Sequence, residues 1–101
     1  MSLSTHVLDT ARGRPAAGVT IELRDAGGAV LTTLTTDADG RAAFGDLDAG
    51  EYELLFAVGD HFGEREFLDR VPVRFRIADA ASKYHVPLLV SPWSYSTYRG
   101  S

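Results

Sequence analysis

The 101-residue chain contains no cysteine, a single methionine and a single tryptophan. Without thiols it can form neither a disulfide nor a thiolate metal site, and a reducing compartment suits it. No apolar run approaches the roughly 18 residues needed to span a membrane. The start, Met1-Ser2-Leu3-Ser4-Thr5-His6, lacks the basic segment and apolar stretch of a secretory leader, so cytoplasm is the expected compartment. Helical periodicity is nearly absent, as are internal repeats and low-complexity tracts. The Gly-x-Ser-x-Gly elbow, the P-loop and the dinucleotide-binding glycine spacing are also missing. Lys and Arg number 10 against 14 Asp and Glu, a net charge of −4. A surface of that sign repels phosphate backbones, so neither nucleic acid nor an anionic membrane is an expected partner, although a small anion can still use a local basic pocket.

What is present is globular in character. Hydrophobic residues make up 45% and charged residues 24%, a balance that excludes a disordered chain, and the length suits one domain over residues 1–101. Short apolar stretches separated by turn residues at close intervals predict an all-β, two-sheet sandwich of about eight strands. Leu3 to Asp9 is the first, closed by Ala11-Arg12-Gly13-Arg14-Pro15. Val19, Ile21 and Leu23 then alternate with Thr20, Glu22 and Arg24, and Gly27-Gly28 turns the chain into a third strand, Val30 to Thr36. Asp37-Ala38-Asp39-Gly40 predicts a turn whose carboxylates bond nearby backbone amides, followed by a short strand, Arg41 to Phe44. Tyr52, Leu54, Phe56 and Val58 form the apolar face of a central strand. The stretch from Asp60 to Arg70 has no alternation, and a short helix is expected there. Val71, Val73, Phe75 and Ile77 mark the sixth strand. Lys83 to Ser91 and Tyr95 to Gly100, joined through Pro92-Trp93-Ser94, complete the set.

Residues two apart share a strand face, which decides what can meet. His6 shares its face with Ser4 and Leu8. His85 shares its own with Pro87 and Leu89, while Tyr84, Val86, Leu88 and Val90 form an expected core row. Tyr98 lies on a face with Ser96 and Gly100. Each histidine alone reads as an ordinary, partly exposed strand residue. Two histidines with Arg41 and a basic end, Tyr98-Arg99-Gly100-Ser101, suggest more. Neutral imidazole takes a proton from water near physiological pH, and guanidinium holds an anionic oxygen through paired hydrogen bonds. Such groups suit hydrolysis of a small anionic heterocycle. His61 is expected to face solvent or cap locally, and Glu64, Glu66 and Asp69 to form a solvated face. No two of the three histidines lie at short metal-ligand spacing, so a required metal is not expected.

Ser4-Thr5-His6-Val7-Leu8-Asp9, Gly13-Arg14-Pro15-Ala16, Asp39-Gly40-Arg41, Tyr84-His85-Val86-Pro87-Leu88-Leu89 and Tyr95-Ser96-Thr97-Tyr98-Arg99-Gly100-Ser101 together resemble the 5-hydroxyisourate hydrolases, the transthyretin-related family of urate breakdown. The likeness covers nearly the whole chain, and its most specific part is the terminal Tyr-Arg-Gly-Ser. It implies a transthyretin-like sandwich of eight strands and a short helix, a homotetramer built from two dimers, and active sites where the dimers meet. It also implies catalytic roles for His6, Arg41 and His85, substrate contacts from His6, Arg41, Tyr98, Arg99 and Ser101, and hydrolytic ring opening without a cofactor. Compared with longer relatives, residues 59–70 and the segment before Arg41 are compact. Two other readings stand beside this one. A transthyretin-like carrier would want apolar or small groups at His6, His85 and Arg99. A structural β-sandwich module shares the Thr36–Arg41 and Leu47–Tyr52 patterns.

Overall fold

A computed structural model of the chain describes residues 3–100. Its hub is β1 (Leu3–Asp9), whose side chains alternate as the two-residue period of a strand requires: Leu3, Thr5, Val7 and Asp9 point inward, Ser4, His6 and Leu8 outward. The first half of β1 lies between β5 (Arg41–Gly45), antiparallel to it, and β8 (Tyr84–His85), parallel. The second half lies between β2 (Arg14–Pro15), antiparallel, and β9 (Leu88–Val90), parallel, and β10 (Tyr95–Thr97) pairs antiparallel with β9. The second sheet is made of β3 (Thr20–Asp25), β4 (Val30–Thr35), β6 (Gly50–Ala57) and β7 (Arg70–Ile77), in the order β4-β3-β6-β7 with every neighbour antiparallel.

The two sheets close over one apolar core. Leu3, Val7, Leu88 and Val90 come from the first sheet, and Ile21, Leu23, Leu54, Phe56 and Val71 from the second. Register stacks this row across strands, with Ile21 opposite Phe56 and Phe56 opposite Val71. Each such side chain, fully buried, contributes roughly 1.5–3 kcal/mol. The core therefore holds the β1 backbone rigid while leaving its outer face free for polar groups.

The expected all-β sandwich is present, with local corrections. The seventh strand breaks into β8 and β9 at Val86-Pro87, because Pro87 has no N–H to donate to a ladder. The gap is bridged from β1: Thr5 Oγ1 donates to the Val86 carbonyl at 2.6 Å, and Val86 N–H donates to the Ser4 carbonyl at 2.9 Å. Arg14-Pro15, read from sequence as a breaker, makes the short edge strand β2. The last strand stops at Thr97 instead of Gly100, although Gly100 still bridges to His85. The helix expected within Asp60 to Arg70 is instead α1 (Val58–Phe62). It ends at Gly63, whose left-handed φ of 72° lets its N–H reach the Gly59 carbonyl, and residues after it form a loop. Arg65 ties that loop to Asp60 and Asp69.

The turn before β5 requires glycine at position 40. Gly40 has φ of 76°, its carbonyl accepts from Val7 N–H at 2.7 Å, and a Cβ there would overlap the Val7 carbonyl oxygen. Gly40→Ala is expected to cost at least about 1–2 kcal/mol from the backbone conformation alone. Thermal unfolding measures it: a midpoint lowered by less than about 4 °C would show that the turn relaxes freely.

Candidate active site

Pairing on both sides of β1 assembles the site. His6 lies directly opposite Arg41 of β5, and Ser4 lies opposite His85 of β8 and also pairs with Ala43. Since His6 and Ser4 share the outer face of β1, all four side chains project from the same side of the sheet. Ser4, Arg41 and His85, with Asp37 and Lys83 among others, line a cleft of about 440 Å³, and His6 stands on the same face outside that lining. Arg41 is exposed, and His6 and His85 are half-buried.

Local structure fixes each group. Asp37 Oδ1 accepts the backbone N–H groups of Asp39 at 2.9 Å and Arg41 at 3.0 Å, which locks the turn that delivers Arg41. The Arg41 N–H above all, then that of Asp39 and the nearby charges of Arg41 and His6, hold the Asp37 carboxyl below its ordinary pKa. Ser4 Oγ and His85 Nδ1 are 2.9 Å apart. Burial, then the positive charge of Arg41 and of His6, push the His85 pKa below the ordinary 6.5, against an opposing pull from the Ser4 backbone carbonyl. His85 is therefore neutral at pH 7, the form that accepts a proton.

Tyr98 and Arg99 are not among the residues that line the cleft. The Arg99 guanidinium sits 4.2 Å over the ring of Tyr84, and its Nη2 donates to the Lys83 carbonyl at 3.1 Å. Tyr98 is exposed along a separate apolar groove with Val73, Phe75 and Val86. Ser101 lies outside the described residues. Among the described residues, no three His, Asp or Glu side chains gather as a metal site, and no helix is long and apolar enough to cross a membrane.

Sequence reasoning missed Ser4, Asp37 and Lys83 as cleft residues. Ser4 carried a signal, its shared face with His6, but its contact with His85 joins positions 81 residues apart. It also misread His61. That side chain bonds Asp9 Oδ2 at 2.9 Å, and Asp9, only 1% exposed, also accepts from the Arg12 N–H and guanidinium. Burial works to raise the Asp9 pKa, but the hydrogen bonds from His61 and Arg12 outweigh it and hold the carboxyl below its ordinary value. This cluster fastens α1 to β1. A larger groove, about 680 Å³, crosses the outer face of the second sheet. Of its charged residues, Arg74 pairs with Glu53, while Arg24 pairs with Glu22 outside it, and no histidine lines it.

The HIUase/Transthyretin family model matches residues 3–100. The chain belongs to the HIUase/Transthyretin family. Among curated proteins it is similar to the 5-hydroxyisourate hydrolase of Mesorhizobium japonicum, 52% identical with 98% of this chain and 91% of the relative covered. Among solved structures it is similar to Klebsiella pneumoniae 5-hydroxyisourate hydrolase, with TM-score 0.89, 40% identity and full coverage of both chains. Sea bream transthyretin in complex with thyroxine has the same fold at TM-score 0.87 and 27% identity, over 97% of this chain and 93% of that one. The family thus includes both hydrolases and a hormone-binding protein, and identity is higher to the hydrolases. The cleft must decide between them on its chemistry.

Proposed function

We propose that the chain is a cofactor-independent 5-hydroxyisourate hydrolase, one domain acting within a homotetramer, in the cytoplasm. Convergence of His6, Arg41 and His85 on one outer face of the first sheet is the observation that carries this reading. A carrier of an apolar ligand gains nothing from lining its site with charge-bearing groups, whereas hydrolysis of an anionic ring needs them. In the reaction, His6 and His85 position a water between them and one imidazole takes its proton. The water oxygen attacks a carbonyl carbon of the six-membered ring, and Arg41 holds the oxygen on which negative charge develops. The ring C–N bond then breaks, its electrons and the proton carried by the imidazole go to nitrogen, and the carboxylic acid left behind releases its proton to solvent as a carboxylate. The product is 2-oxo-4-hydroxy-4-carboxy-5-ureidoimidazoline, on the route to allantoin.

The open cleft supports the tetramer in this reading, since a second copy laid over the outer face would exclude water from the ring. Tyr98, Arg99 and Ser101 belong to the same reading as substrate contacts within the assembly, with Arg99 released from Tyr84 or acting through it. The purified chain is expected to speed the loss of freshly prepared 5-hydroxyisourate, followed by its ultraviolet absorbance, well above the spontaneous rate. Decay indistinguishable from a protein-free control would remove the proposal.

A further inference from the structure

His85 is gripped along both edges of its ring. On one edge, Nδ1 lies 2.9 Å from Ser4 Oγ. On the other, Gly100 packs so closely that a Cβ there would come within 2.5 Å of Cδ2, and Gly100 N–H donates to the His85 carbonyl at 2.7 Å. Nδ1 and Cδ2 flank the ring's attachment point, so this grip leaves Nε2 at the tip, free to face the cleft. We propose that Ser4 is a positioning residue that holds the His85 proton on Nδ1, with Gly100 closing the opposite edge, so that Nε2 presents its lone pair to the reacting water.

The direction of the Ser4 contact follows from what surrounds it. A hydroxyl can donate or accept, so this contact fits either tautomer, but the cleft beside the ring is lined by the obligate donors Arg41 and Lys83, which favour a lone pair on the nitrogen turned toward them. With the lone pair on Nε2, the proton sits on Nδ1 and Ser4 Oγ accepts it. In neutral imidazole a proton on one nitrogen leaves the other as acceptor. The charged and titratable groups facing the ring are His6 from β1, Arg41 from β5 with Asp37 from the turn before it, and Lys83 beside β8. Arg41 and His6 oppose a second proton on the ring. The grip therefore selects the tautomer, and the cationic surroundings keep it neutral. This inference rests on the proposed hydrolysis and assigns the base within it to His85.

Nitrogen-15 long-range correlation spectra of the wild-type protein at pH 8, together with kinetics of Ser4→Ala, Ser4→Thr and Gly100→Ala, test it. In the wild type, His85 Nδ1 is expected at the protonated-nitrogen position and Nε2 at the unprotonated one. Ser4→Ala should shift both toward a tautomer mixture and lower kcat about tenfold with KM within about twofold, and Ser4→Thr, which keeps the hydroxyl, should restore both. Gly100→Ala should displace the ring and lower kcat as well. A wild-type proton on Nε2, or a Ser4→Ala protein with unchanged tautomer and kcat, overturns the assignment even if the variant is less stable. If the wild type does not hydrolyse 5-hydroxyisourate, the functional proposal falls, and the spectra still decide whether Ser4 sets the tautomer.

Discussion

Replacing His85 with alanine is expected to lower kcat on 5-hydroxyisourate by about 100-fold or more, the usual contribution of a positioned acid–base group. Arg41→Ala should cost a similar factor, about 100 to 1000, as loss of an oxyanion donor does. Neither change touches the core, because both side chains stand on the outer face of the first sheet. Melting temperatures should therefore stay near wild type. The pH dependence adds a signed test. Since burial and the charges of Arg41 and His6 lower the His85 pKa, the acid limb of the kcat/KM profile should lie below the ordinary histidine value of 6.5. Arg41→Ala removes one of those charges and should move that limb upward. Full activity in His85→Ala, or an acid limb that moves down in Arg41→Ala, would contradict the roles assigned here.

The second large effect concerns stability. Asp9→Ala should destabilise the protein by about 3 kcal/mol, because it strands Arg12 and His61 without the buried carboxylate that both contact. The figure sits at the low end for broken buried pairs because the Arg12 side chain is 45% exposed and can recover water. For a domain of this size the melting midpoint should fall by about 12–24 °C. Asp9→Asn keeps an acceptor for the Arg12 N–H and should cost less. Linkage gives the sign: a folded-state pKa below 3.8 makes this carboxylate stabilise the fold fully above pH 3.8, and that stability is lost as pH falls from there through the folded value. His85 adds an acid-side penalty of its own. Its lowered pKa makes the unfolded chain bind the proton first, so stability starts to fall as pH drops below 6.5. A midpoint unchanged between wild type and Asp9→Ala would mean that α1 is not fastened through this cluster.

Much of this could be read from the chain because strands write their two-residue period directly into sequence. The outer placement of His6 and the inner row Tyr84, Val86, Leu88 and Val90 followed from parity alone, and the row is buried as that argument requires. Pro87 broke the simple pattern: it is buried too, since the chain between β8 and β9 folds inward where the ladder lapses. The helix was misplaced because its five residues are too few to show a period, and the glycine that ends it was read as part of it. His61 was misread for a different reason. Its partner Asp9 lies 52 residues away, and nothing near position 61 signals a buried carboxylate. The contact of Arg99 with the Tyr84 ring was equally illegible, since it is set by how the chain after β10 leads back along β8. Local pattern fixes which face a residue takes, whereas contacts across the sheet depend on register that only the assembled fold supplies.

The most direct measurement is a crystal structure of the protein with an unreactive oxopurine anion related to the substrate. The ring is expected between His6 and His85, with an anionic oxygen on the Arg41 guanidinium and His85 Nε2 facing the space where water would attack. An anion bound instead in the groove of Arg24, Glu53 and Arg74, or in the apolar groove beside Tyr98, would contradict the site on which the proposed chemistry depends.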